Sequence, residues 1–196
     1  MLILGVDTSL PLLSVALIRD DAVLGAIALE GKRSRNEKLL PAIDWLLTET
    51  GVDRHDIDLY AVTRGPGSFT GVRIALATVQ GMALALGKPV CAMSTHEAIA
   101  LPVTRSVIVD DAGRGEFYIS VYADGREVEP PHLGREVPPD AIRVADVLRQ
   151  GNVALRCAQR ALDIVNGNRL DAYRDATPIY VRLAEAEVKL QQKRNG

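Results

Sequence analysis

Residues 2–29 read LILGVDTSLPLLSVALIRDDAVLGAIAL, and the spacing of apolar and turn residues within them decides the fold. The run Leu2–Asp7 is apolar up to its final carboxylate, as a buried strand would be. Ser9 and Pro11 mark a turn, and residues 14–19, SVALIR, form a second run. The pair Asp20-Asp21 turns the chain again before residues 22–29, AVLGAIAL. Three short strands joined by tight turns predict an antiparallel meander.

Downstream the period changes. Residues 36–50 place Leu39, Ile43, Leu46 and Leu47 on one helical face, with Pro41 near the start and Gly51 as the stop. A strand is predicted over 57–63 and a second helix over 70–86, closed by Gly87 and Pro89. A strand over 89–93 follows. Ser94 or Thr95 then caps a short helix, on which His96 is expected as a polar surface residue. Residues 106–110 and 116–123 read as a hairpin. The order βββαβα, then βα and a hairpin, is an α/β pattern with a mixed sheet covered by helices. It is the order of the actin-like, ribonuclease H-like (ASKHA) fold. Residues 1–123 are read as that lobe. Residues 124–196 are read as a smaller, abbreviated C-terminal lobe: 124–140, with four prolines, as a linker, then helices near 153–165 and 183–194.

Composition excludes several function classes. Lys plus Arg number 23 against 25 Asp plus Glu, a net charge of -2, and aromatic residues make up 4%. Strong direct nucleic-acid binding would need a basic field or stacking rings; the chain has no net basic charge and few aromatics. Cys91 and Cys157 are too few for a disulfide framework or zinc cage. His55, His96 and His132 form no metal-ligand pair, so no metal site is expected. The apolar N-terminal run lacks a basic flank and is interrupted by Asp7 and Pro11, which argues against a signal peptide or a membrane span. A cytoplasmic protein is expected.

Three stretches carry candidate function. The turn Gly65-Pro66-Gly67-Ser68-Phe69-Thr70-Gly71 opens the second helix, where free N–H groups could hold a phosphate. Its glycines read GxGxxxG, one residue too long for a dinucleotide fingerprint, and no Lys follows as in a P-loop. The structural reading, a tight turn with Ser68 or Thr70 as cap, is the commoner outcome. Asp7-Thr8-Ser9 ends the first strand and could position a metal-bound nucleotide phosphate, although a local side-chain turn is again commoner. Asp7, Thr8, Ser9, Gly67 and Ser68 are therefore the candidate phosphate group. On the second helix Ala77, Gly81 and Ala85 recur every four residues. Such a row lets another backbone approach, either the chain's own sheet or a helix of another subunit. No nucleophile–base set is recognisable around any His.

The motifs ILGVDTS, GPGSFTGVRIALATVQGMAL and DAGRGEFY resemble the TsaB (YeaZ) family over residues 2–123, with a weaker echo at Pro178-Ile179-Tyr180-Val181-Arg182. The hairpin departs from the family in carrying Gly113, with Arg114 one place later, where an Arg is usual. Arg35 stands where many members have His. The resemblance implies a non-catalytic subunit that holds and activates a TsaD-like catalytic partner in making N6-threonylcarbamoyladenosine in tRNA. A TsaE-like ATPase would join the assembly. The first two helices would form the contact, through Leu39, Ile43, Leu47, Arg73, Ala77, Gly81 and Ala85, and could pair two copies when the partner is absent. No cofactor of its own is implied, though a nucleotide at the partner interface is compatible. The alternative is a nucleotide-dependent kinase or ATPase of the same fold, using Asp7 and the Gly67-Ser68 turn. Against it, the glycines of the second lobe, Gly134, Gly151 and Gly167 among them, stand isolated and form no glycine-rich element.

Overall fold

The computed structural model describes residues 1–30 and 35–182. Strand β1 (Leu2–Asp7) is apolar on both faces, and this places it in the middle of a sheet. It pairs antiparallel with β2 (Leu12–Arg19), and β2 pairs antiparallel with β3 (Ala22–Glu30). On its other side β1 pairs parallel with β4 (Leu59–Thr63), which pairs parallel with β5 (Val90–Met93). The order β3-β2-β1-β4-β5 follows. Parallel neighbours need a crossover, and α1 (Arg35–Thr50) and α2 (Phe69–Leu86) supply it.

Alternation along β1 assigns the two faces. Leu2, Leu4 and Val6 join α1 and α2 in one core, whereas Ile3 faces Cys157, Ala158 and Ala161 of α5 (Val153–Asn166) in another. Helix α5 approaches β1 so closely that a Cβ on Gly5 would stand 2.2 Å from the Ala154 carbonyl oxygen. Glycine is required there by packing.

A second sheet, ordered β8-β7-β6-β9, contains β6 (Ser106–Gly113), β7 (Glu116–Ala123), β8 (Arg126–Gly134) and β9 (Ile142–Arg143). Helices α3 (Thr95–Ile99) and α4 (Val144–Gln150) accompany it. Residues 126–134 are thus an edge strand on β7, not the predicted linker. Pro130 and Pro131 fall where the β7–β8 register is irregular, between Ile119 opposite His132 and Val121 opposite Glu129. The two sheets divide the chain between β5 and β6, and α5, from the expected C-terminal lobe, returns to cover β1, β2 and β4. The predicted helix over 183–194 lies outside the described residues, as does the side chain of Arg35.

His96 reverses its expectation. It is fully buried, because α3 is sandwiched between the second sheet and α5 and all five of its residues face protein. Leu39, Ile43 and Leu47 are also turned inward, onto the sheet. A stripe at 3–4 spacing is the face a helix buries on its own core, so these three do not form the outer surface of α1. That surface carries Leu40 and Trp45, each more than half exposed.

Candidate functional site

The strand-end loops meet at the carboxyl edge of β1, β4 and β5. Asp7 is fully buried there. Its Oδ1 accepts hydrogen bonds from the Ser9 N–H at 3.2 Å, from Ser9 Oγ at 2.5 Å and from Thr63 Oγ1 at 2.5 Å. The Thr8 hydroxyl donates to the Gly71 carbonyl at 2.6 Å, which anchors the first turn of α2. Ser68 caps that helix, its Oγ accepting from the Gly71 N–H at 3.2 Å. The Ser68 N–H donates to the Ser9 carbonyl at 2.7 Å. A Cβ on Gly67 would lie 2.5 Å from that same carbonyl oxygen. The five candidate phosphate residues are therefore brought together, and they are largely engaged with one another.

Beside them is a cleft of about 460 Å³ lined by Ser9, Gly67, Ser68, Asp110, Asp111 and Tyr118 among others. Burial, together with the charges of Asp111 and Asp7, pushes the Asp110 carboxyl up to about 6, against a stabilising bond from the Asp111 N–H. No Lys or Arg is found among the described residues lining this cleft. Two carboxylates, with no Lys or Arg beside them among the described lining residues, resist a phosphate, since like charges disfavour one another at short range. Among the described residues no group of three or more His, Cys, Asp or Glu could hold a metal ion.

One arrangement had no signature in the sequence. His96 Nδ1 lies 2.6 Å from Ser120 Oγ, a nucleophile–base distance. Both residues are fully buried, His96 Nε2 meets no hydrogen-bond partner, and burial drives the imidazole down to about 3. A substrate cannot reach the hydroxyl and no third group orients the ring, so the pair is structural. The thiols are equally inert. Burial pushes Cys91 up to about 12, and Cys157 is also raised.

The outer face of the helical layer is different in character. Arg73, Ala77, Gly81 and Ala85 of α2 are all exposed, and Leu84 between them is 84% exposed. Nothing lies within 4 Å of where a Gly81 Cβ would be. Leu40 and Pro41 of α1 and Met82 of α2 border a shared hollow of about 500 Å³ beside this row. By length and composition α2 would also pass as a membrane span, with a third of its residues buried in the fold. Its contacts with α1, β1, β4 and β5 account for that third.

A sheet ordered 3-2-1-4-5, with an antiparallel meander β1–β3, parallel β4 and β5 and helices on both faces, defines an α/β protein of the ribonuclease H-like, ASKHA class. The chain belongs to the TsaB (YeaZ) family. The model of the family described as "TsaD: tRNA N6-adenosine threonylcarbamoyltransferase" matches residues 23–174. The Escherichia coli tRNA threonylcarbamoyladenosine biosynthesis protein TsaB is 32% identical, over 98% of this chain and all of that one. The Bacillus subtilis protein of the same name is 32% identical over 76% of this chain and 65% of its own length. The structure of YeaZ from Pseudomonas aeruginosa superimposes with a TM-score of 0.71 at 27% identity, covering 91% of this chain and all of that one. A second Pseudomonas aeruginosa structure, described as similar to the peptidase YEAZ, gives 0.72 at 27% identity, covering 92% and 99%. In the present chain the sealed His96–Ser120 pair gives no geometric support to peptide hydrolysis.

Proposed function

We propose that this protein is a subunit of the assembly that makes threonylcarbamoyladenosine in tRNA, acting by holding and activating a TsaD-like catalytic partner. The exposed apolar face of α2 carries the reading. Ala77, Gly81, Leu84 and Ala85 form a small-residue row with a protruding leucine, a shape that admits a second helix at close range. An apolar surface of this kind is ordinarily covered in a working assembly. The names of the relatives supply the pathway, and the inert thiols and sealed His96 support a non-catalytic role. In the partner's absence the same face would pair two copies of this chain, and a TsaE-like ATPase would join the complete assembly. Such an assembly belongs in the cytoplasm.

Mixing the purified protein with the TsaD-like protein of the same organism tests the reading by co-elution. A complex at micromolar concentration is expected, and its absence sinks the proposal. The enzyme alternative is separated by calorimetric titration with ATP: sub-micromolar binding by this chain alone would favour a kinase or ATPase. The lining of the Asp110 cleft, which holds no Lys or Arg among the described residues, supports the opposite outcome.

A further inference from the structure

Away from the Asp7 cleft, a larger cavity of about 820 Å³ opens between α3, β8 and residues 168–179. Its walls are Arg64, Arg126 and Arg169, the carboxylates Glu97, Glu127 and Asp171, and an apolar floor that includes Pro130, Pro131 and Ile179. The two charge signs are unequally satisfied. Glu97 is buried, accepts from the Tyr173 hydroxyl at 2.6 Å and faces Arg160 of α5 at 3.8 Å. Asp171 is paired with Arg174 at 2.7 Å. Arg64 reaches Asp175 at 3.5 Å, and its buried Nε meets no acceptor. Arg126 and Arg169 have no carboxylate within 4.0 Å among the described residues, which leaves two guanidiniums against Glu127, itself held at 3.4 Å by the Tyr122 hydroxyl.

We infer that this cavity binds a small organic anion, its phosphate or carboxylate group taken by Arg126 and Arg169 and its apolar portion lying on Pro130, Pro131 and Ile179. Guanidinium forks match both oxyanions, and a pair of them without internal partners loses nothing by turning to a ligand. Arg64, hydrogen-bonded through its backbone into the strand-end loops, borders the same space as a third donor. The cavity is lined by residues other than those of the Asp7 cleft, Arg64 and Ser94 included, and the inference stands apart from the proposed subunit role. Its ligand is held by this chain alone.

The whole protein is titrated calorimetrically with pyrophosphate and, separately, with citrate, at low ionic strength. At least one is expected to bind, and which of them does distinguishes a phosphate from a carboxylate ligand. Arg126→Gln and Arg169→Gln should each weaken binding about tenfold, the loss of one charge-assisted hydrogen bond. Arg19→Gln, at the opposite end of the first sheet, should leave it unchanged. Arg126 is exposed, so its variant folds, and thermal melts verify this for both. Binding of neither anion, or an equal loss in Arg19→Gln, overturns the inference.

Discussion

Helices α2 and α5 cover opposite faces of one five-stranded sheet, yet their outer surfaces differ in chemistry. Helix α5 buries Val153, Ala154, Cys157, Ala158, Ala161, Leu162 and Ile164 and exposes Gln159, Asp163 and Asn166. That division is what a helix covered on one side by its own chain, and facing water on the other, requires. Helix α2 buries Val72, Ala75, Leu76, Val79 and Ala83, and its exposed residues include Ala77, Gly81, Leu84 and Ala85. A helix apolar on both sides has a second surface to cover. The sheet needs both helices, and in the proposed function the outward face of α2 is the one left to meet a partner.

The contrast can be broken from either side. The largest effect is expected from Gly5→Val, whose Cβ would collide with the Ala154 backbone and force α5 off the sheet. A loss of about 3 kcal/mol is expected in urea unfolding, at the upper end of overpacking penalties. Arg160→Met should follow, because it strips the buried Glu97 of its cation. Burial raises the Glu97 carboxyl above its ordinary value. A folded-state pKa above the unfolded one means that stability is present at low pH and lost as pH rises through the folded value. Unfolding midpoints should therefore show a loss of about 2 kcal/mol at pH 8 and a smaller one at pH 5.

Leu84→Asp should move association and spare the fold. Stability should stay within about 0.5 kcal/mol, as for other exposed positions. Affinity for the partner, measured by interferometry, should fall about thirtyfold, the scale of a hot-spot loss near 2 kcal/mol. Gly81→Leu is the finest test. The site is open, so the variant should gain up to about 1 kcal/mol of helix stability and still associate less well. If association were unchanged in both variants, the apolar face of α2 would have no partner and the contrast with α5 would lose its meaning.

Much of the fold was legible in the residues. The meander, α1, α2, β5, the β6–β7 hairpin and α5 follow from periodicity and from Gly and Pro stops. Strand β8 did not, because two prolines and a run of charges mimic a linker, and only pairing with β7 makes them an edge. The candidate site was legible in part. Asp7, Thr8, Ser9, Gly67 and Ser68 do converge, through bonds between segments some sixty residues apart that no local pattern shows. The interface residues split. The row at 77, 81 and 85 is on the surface, whereas Leu39, Ile43 and Leu47 are core, since an amphipathic stripe looks alike whether it meets its own sheet or another chain. The burial of His96 leaves no local mark, because its partner Ser120 arrives from β7. Arg126 and Arg169 stand 43 positions apart, and their shared cavity exists only in three dimensions.

The stretch from Thr177 to Arg182 joins the two sheets by hand-holds on each. The Ile179 N–H donates to the Arg64 carbonyl at 2.7 Å, and Tyr180 stacks on Phe69 with ring centroids 4.8 Å apart. Arg73 donates to the Tyr180 hydroxyl at 2.8 Å and lies over the Phe69 ring. Two residues on, Arg182 grips Glu116 and the Ala112 carbonyl of the β6–β7 hairpin. Two residues of extended chain span at most about 7 Å. The two halves of the molecule therefore cannot swing apart at this end unless the tyrosine leaves its stack or the arginine lets go. The chain's last described turn works as a hasp across its own cleft.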